Sequence, residues 1–445
     1  MTDNLKIITT ILFEKNKNIY LSAVGGCGKS FLAKQIKDYC DTNKIKCALT
    51  STTGISAFNI GGQTLHSWSK VFFNKISQDV ADKIVRKITK NKKDFRRIVN
   101  IELLIIDEVS MLGGQYLEVL NYVLKQLKNN DEVFGGIRVL LTGDFLQLPP
   151  VNDIFAFESS VWKELKLINL ELTIPKRFDD LEWAKMLLRI RTATHTEDDI
   201  KKLKERHEAY KSLTKEQIQN YIVLSSKKND VSKYNDFRLS QLKGIEDIVI
   251  CKDKAIVCDD LDDLSMQNID DYTSVNTDDE FDKYFIAQKT LKLKPMSRIM
   301  IIKNINPEIG LVNGARGIFL ELKRLDLPFS NIDVFQMVIK LDTGAIVSID
   351  QCLFTQQYGD MVYTRIQFPV ILSYSISIHK SQGLTLDNVI INLGKEIFEQ
   401  GQAYVALSRC KNLNNLYLSD FDSRKLMCSK ACLNFEKNSK THKLK

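Results

Sequence analysis

The hydrophobic and polar positions divide the chain into stretches of different texture. Over the first 165 residues, short apolar runs (IYLSAV, CALTST, LLIID and VLLTGD) alternate with helical patterns. That alternation predicts a parallel sheet with crossover helices. From about Ser69 to Val99 it is interrupted by a basic segment of helical pattern that begins with Phe72 and Phe73, which reads as a small insertion. A second α/β pattern starts near Asn169, contains YIVLSS, and resumes after about Thr364 with SYSISIH, NVIINL and LYLSD. Between Arg298 and Gln356 the segments RIMIIK, ARGIFLEL, FQMVIKL and AIVSI are separated by Gly, Asn and Asp turns. These predict a small all-β module inserted into the second α/β domain. No internal repeat is visible.

At 445 residues the chain is long enough for two or three domains, and 44% hydrophobic with 27% charged residues is ordinary for a globular protein. Charges interrupt every apolar run before the ~18 residues that a membrane span needs. The N-terminus MTDNLKIITTILFEKNKN lacks the features of a signal peptide, so a soluble, intracellular protein is expected. Nine cysteines without framework spacing read as reduced thiols. The closest pair, Cys428 and Cys432, has only His442 nearby and no second pair to complete a zinc site.

The net charge of +8 permits a polyanionic partner without demanding one. Its distribution says more. Nine basic residues face three acidic ones between Lys75 and Arg97, and the tail from Ser429 is lysine-rich. Ten acidic residues and no basic one lie between Asp259 and Asp282, a stretch with little to bury that reads as a surface loop. Each run is either a solvated face or a binding surface.

Three motifs carry chemistry. LSAVGGCGKS, Leu21 to Ser30, follows a strand and precedes a helical stretch, the setting of a phosphate-binding loop. Gly25, Gly26, Cys27 and Gly28 would turn backbone N–H groups toward phosphate oxygens, Lys29 would reach the β- and γ-phosphates, and Ser30 would hold magnesium. Ala23 stands where the usual pattern opens with Gly. In LLIIDEVSM, four apolar residues make a buried strand with Asp107 and Glu108 at its end. Asp107 is placed for magnesium, and Glu108 can orient and deprotonate the attacking water. In LLTGDFLQLPPV, Gln147 can contact that water or the γ-phosphate, Asp144 can support it, and Pro149 and Pro150 stiffen the exit.

Together with TSTTGISAFNIGGQTLHSW, GLVNGARG, SIHKSQGLTLDNVIINL and AYVALSRC, these segments resemble, in order and chemistry, superfamily 1 DNA helicases. The resemblance is greatest to the petite-integration-frequency (PIF) branch, relatives of the RecD group, and runs from Leu21 to about Asp422. It implies an α/β protein with two RecA-like P-loop motor domains. The first, 1A, would be residues 1–168 with a wedge insertion (1B) at 69–99. The second, 2A, would be 169–297 and 363–425, with an SH3-like β module (2B) at 298–362 and a basic tail at 426–445.

The resemblance also implies ATP and Mg2+ as cofactors and ATP-driven movement along single-stranded DNA with 5′-to-3′ unwinding. Single-stranded and forked DNA are the implied partners, with no membrane partner. A monomeric motor that meets replication or repair proteins is expected. Arg177 in KRFDD, where Lys176 could take the place, and Arg409 in VALSRC would reach the phosphates from the opposite domain. Gly383 would also face nucleotide. Thr53, Gly54, Thr64 and His66 would face DNA, as would His379, Lys380, Ser381 and Thr385, the segment that with Gln382 couples nucleotide to DNA. Phe58 and Trp68 are either base-stacking or core residues. The basic insertion is either a duplex-splitting wedge or a solvated helical pair. No Gln precedes Gln35, so the family's upstream adenine-reading glutamine is missing. A P-loop kinase would leave HKSQG idle, and a nucleotide-gated DNA-binding protein without unwinding activity is the remaining alternative.

Overall fold

The computed structural model describes residues 3–73, 76–174, 177–178, 180–257, 285, 287–325, 334–358 and 361–444. The acidic run 259–282, Lys75, Lys176 and the side chain of Phe58 lie outside the described residues. The chain forms two compact units, Met1–Ile218 with Ile378–Lys445, and Gln219–Ser377.

The first unit is built on a seven-stranded sheet, parallel throughout. Its order is Thr441–Leu444, Ile168–Leu172, Ile19–Ala23, Arg138–Gly143, Leu103–Asp107, Cys47–Ser51 and Gln63–Thr64. The central strands are apolar at successive positions because both faces are covered. Leu103 and Ile105 point into a core shared with Ile8, Leu12, Leu32 and Ile36. Leu104 and Ile106, one residue out of phase, point into the opposite core with Leu117, Leu120 and Leu124 of the helix Gly114–Lys128. Each such side chain, fully buried, contributes about 1.5–3 kcal/mol.

The basic insertion folds as two helices, Gln78–Lys90 and Lys92–Val99. Ser77 caps the first by accepting from the N–H of Val80, and Asn91 caps the second by accepting from Lys93 and Asp94. Ala81, Ile84, Ile88 and Ile98 pack into the core, while Lys83, Arg86, Lys90, Lys92, Lys93 and Arg96 are exposed and Arg97 turns inward to donate to the carbonyl of Trp68.

Two segments lie differently from their reading in the sequence. The boundary at 168/169 falls inside a strand, Ile168–Leu172, which pairs with Ile19–Ala23 and buries Leu170 and Leu172 in the first unit's core. The segment 426–445, read as a basic tail, carries the helix Lys430–Asn438 and the edge strand Thr441–Leu444. Its lysines dominate the composition, but Cys432, Leu433, Phe435 and Leu444 face inward. Also in this unit, Val389–Leu393 pairs in parallel with Leu416–Phe421.

The second unit holds a five-stranded antiparallel sheet in the order Ile346–Ile349, Val334–Leu341, Arg316–Leu325, Arg298–Ile301 and Val370–Leu372. Phe319, Met337, Ile339 and Phe368 form its core. A three-stranded antiparallel sheet (Cys352–Tyr358, Met361–Gln367, Lys252–Val257) and the parallel pair Ile222–Ser225 and Ser375–Ser377 belong to the same unit. No helix among the described residues is long and apolar enough to cross a membrane.

Candidate active site

Parallel strands deliver their C-terminal ends to one edge of the sheet, and the chemistry-bearing motifs collect there. The strand Ile19–Ala23 ends in the glycine loop, and the helix Lys29–Thr42 starts directly after it with Gly28 as its N-cap. The positive end of that helix therefore faces the loop. Gly26 has φ +90°, and a Cβ there would sit 2.6 Å from Cβ of Arg177, so both conformation and space call for glycine. The Lys29 ammonium is buried and donates to the carbonyls of Ala23 at 2.7 Å and Val24 at 3.3 Å.

Ser30 Oγ donates to Asp107 Oδ2 at 2.7 Å. The other Asp107 oxygen accepts from the Thr142 hydroxyl and, at 3.0 Å, from the N–H of Glu108. This buried carboxylate is thus fixed by the neighbouring strand Arg138–Gly143 and the helix Lys29–Thr42. Ser30 and Asp107 form an all-oxygen pair, the donor chemistry that suits magnesium.

Glu108 sits in the left-handed region at φ +56°, a conformation that costs a non-glycine residue energy and turns its side chain away from the strand line. Its carboxylate accepts from Gln382 Nε2 at 3.0 Å. Burial, and after it the adjacent Asp107 charge, raise the Glu108 carboxyl above the usual range. Lys29, Arg409 and the Gln382 bond pull the other way.

Gln147 Nε2 donates to Asp144 Oδ2 at 3.2 Å. The carbonyl of Gln147 lies against Gly401, where a Cβ would approach it to 2.3 Å. Arg409 is 2% exposed and held by its own surroundings: Nε donates to Val405 O at 2.9 Å and Nη2 to Ser408 Oγ at 2.8 Å. Nη2 also lies 3.7 Å from the Cβ position of Gly25, which places the guanidinium against the glycine loop. Burial, then the neighbouring Arg177 charge, lower its pKa to about 9. Arg177 donates from Nη1 to Ser408 O at 3.2 Å. The structure thus brings Gly25, Gly26, Gly28, Lys29, Ser30, Asp107, Glu108, Asp144, Gln147, Arg177 and Arg409 to one edge of the first unit. Cys27, buried beside them, has its thiol pushed up by burial.

The candidate DNA-facing residues form two groups. Thr53 and Thr64 open short helices, Thr53 Oγ1 accepting from Ser56 N and Thr64 Oγ1 from Ser67 N, each at 3.2 Å. Gly54 begins the first of these helices, and the exposed His66 ring lies 4.4 Å from the Tyr116 ring. Trp68, 1% exposed, is a core residue with no face left for a base. His379 and Lys380 are half-buried, and Gly383 and Thr385 are exposed. Ser381 departs from its expected role: it is fully buried, and its hydroxyl donates to Ile378 O at 2.7 Å, so it shapes the turn instead of facing DNA.

A family model described as PIF1-like helicase matches residues 4–198, and one described as DNA helicase Pif1, 2B domain, matches residues 279–322. The crystal structure of Pif1 helicase from Candida albicans is 30% identical, covers 98% of this chain and 99% of its own, and superposes with a TM-score of 0.79. The chain belongs to the PIF1-like helicase family. The ATP-dependent DNA helicase PIF1 of Xenopus laevis is 30% identical over 98% of this chain and 63% of its own length. This chain therefore spans about three fifths of the curated relatives that it matches. The Bacteroides Pif1 helicase in complex with ADP-AlF3 and ssDNA is 27% identical with a TM-score of 0.65, covering 98% of this chain and 96% of the other.

Four residues at the family site escape the sequence reading. Tyr404 OH accepts from the N–H of Gly25 at 3.1 Å, and its place in AYVALSRC, five residues before Arg409, was the available signal. Thr142 could have been suspected from its strand end. Arg191, which holds Asp144, and Glu436, which pairs with Arg191, carry no motif signal at all.

Proposed function

We propose that this chain is an ATP-dependent DNA helicase that translocates on single-stranded DNA in the 5′-to-3′ direction and unwinds duplex DNA. The observation that carries the reading is the bond between Glu108, beside the phosphate loop, and Gln382, inside HKSQG. It joins the group suited to activating water to the segment suited to touching DNA. The names of the relatives and the ADP-AlF3 and ssDNA bound to the Bacteroides protein support the same reading.

In this mechanism the N–H groups of the loop and Lys29 bind the β- and γ-phosphates. Ser30 and Asp107 would hold Mg2+, which would supply positive charge to neutralise the phosphate oxygens. Glu108 takes the proton of the attacking water while the Gln147 amide orients it. Arg409 and Arg177 stabilise the charge that develops on the transferred phosphoryl group. Thr53, Gly54, Thr64 and His66 contact the DNA backbone, as do His379, Lys380 and Thr385, and position it without reading sequence. Closure and opening of the two motor domains, with the SH3-like module at 298–362 and the wedge at 69–99, would move the strand. The motor acts as a monomer, with replication or repair proteins as its partners.

Measurement of ATPase with and without single-stranded DNA, paired with unwinding of a tailed duplex, tests the proposal. DNA-stimulated ATPase with unwinding is expected. DNA binding that responds to nucleotide, with neither ATP hydrolysis nor unwinding, would favour a nucleotide-gated DNA-binding protein.

A further inference from the structure

The C-terminal helix Lys430–Asn438 reaches the GDF segment through two consecutive side chains. Phe435 packs its ring 5.4 Å from Phe145 at 83° and stacks on Phe157 at 4.4 Å. Glu436 pairs with Arg191, the last residue of the helix Leu181–Arg191, Nη1 lying 3.1 Å from Oε2 and Nη2 meeting Oε1. The same guanidinium holds Asp144, with Nη2 2.7 Å from Oδ1 and Nε 3.1 and 3.2 Å from the two oxygens. Asp144 is fully buried and in turn accepts from the N–H of Leu146 and from the side-chain amide of Gln147, each at 3.2 Å.

A planar guanidinium with five fixed donors can pair with two carboxylates in forked geometry, which an ammonium with three donors cannot reproduce. A buried cluster of three charged groups is a poor source of stability compared with a well-packed apolar one. Its position is what matters here: Asp144 ends the strand Arg138–Gly143, next to the strand that delivers the phosphate loop. Burial alone would raise the Asp144 carboxyl, but Arg191 overrides it and keeps the carboxylate charged.

We infer that Arg191, anchored by Glu436, is a positioning residue of the nucleotide site. It fixes the Asp144 carboxylate and through it the Gln147 amide, which makes the helix Lys430–Asn438 part of the catalytic apparatus. The inference rests on the proposed ATPase for its kinetic consequence but not for its structural one.

Arg191→Lys keeps the charge and loses the fork, and Glu436→Gln is a milder change that weakens the anchor of Arg191 while leaving Arg191 and Asp144 themselves unaltered. In the full chain, kcat of the DNA-stimulated ATPase is expected to fall about a hundredfold for Arg191→Lys and about threefold to tenfold for Glu436→Gln. KM for ATP and affinity for ADP should stay within about twofold, because Lys29 and the loop amides are untouched. Amide hydrogen exchange across residues 144–147 should quicken in both variants, and it reads the clamp whether or not the parent hydrolyses ATP. Unchanged exchange across 144–147 in folded Glu436→Gln would overturn the inference, as would kcat and KM for Arg191→Lys that match the parent. An inactive parent with quickened exchange in the variants would retain the clamp and sink the ATPase reading instead.

Discussion

The side-chain amide of Gln382 donates to the Glu108 carboxylate at 3.0 Å, across 274 positions of sequence. One residue closes the strand Leu103–Asp107, and the other lies in the turn after Ile378. Both are buried, and among the described residues Gln382 Oε1 has no hydrogen-bond partner. A rotation of the Gln382 amide therefore changes the environment of the proposed base directly, which links the HKSQG segment to Glu108.

Lys29 and Glu108 should fail in different ways. Lys29→Ala removes a phosphate contact and is expected to weaken both ATP binding and turnover. Glu108→Gln keeps the shape but cannot take a proton, so ATP should still bind while turnover drops by about a hundredfold or more. Nucleotide affinity and single-turnover rates separate the two. A Glu108→Gln variant that turns over like the parent would remove Glu108 from the mechanism.

The pH dependence follows from the raised Glu108 carboxyl. A raised pKa means that the group takes up its proton at a higher pH than an exposed glutamate does. The base form is then lost early as pH falls, so the acid limb of kcat/KM for ATP should lie above the ordinary glutamate range. The Gln382 bond favours the charged form, so Gln382→Ala should move the limb further upward. An acid limb that stays in place in this variant would break the assigned link.

Arg409→Lys should retain charge while losing the paired donors of the guanidinium. Turnover is expected to fall on the order of a thousandfold. Affinity for single-stranded DNA without nucleotide should change far less than turnover, because Arg409 is buried against the glycine loop and reaches the Ser381–Leu384 turn only through its carbonyls, at 3.4 Å. Weakened DNA binding with intact ATPase would move Arg409 out of the nucleotide site.

Binding to single-stranded DNA should be mainly a matter of phosphate contacts. Each phosphate neutralised by a cationic side chain such as Lys380 should add about −0.7 to the slope of log affinity against log salt, about equally for different sequences. Flat salt dependence with strong sequence preference would contradict the phosphate contact assigned to Lys380.

The sequence was most informative where one short stretch carries both a strand and its chemistry. LLIIDEVSM displays an apolar run and the two carboxylates that it delivers, and the structure sets Leu103–Asp107 as a buried strand with both at its end. The glycine loop was equally legible, since its conformation is written in its own residues. The C-terminal segment was not. Its lysines suggest a solvated tail, whereas Cys432, Phe435 and Leu444 are spaced to face inward only once the helix Lys430–Asn438 and its edge strand exist. Arg191 and Ser381 show the same limit. Their roles depend on what a distant part of the chain brings alongside, and no local spacing records that.

Unwinding of a duplex bearing a 5′ single-stranded tail, with ATP and Mg2+, sets the parent beside Glu108→Gln and a duplex with a 3′ tail. The parent is expected to separate the 5′-tailed duplex, to leave the 3′-tailed one intact, and to lose the activity on Glu108→Gln substitution while still binding the tail. Strand separation that persists in Glu108→Gln, or that the parent cannot perform on either substrate while it hydrolyses ATP, would contradict the helicase mechanism built on this site.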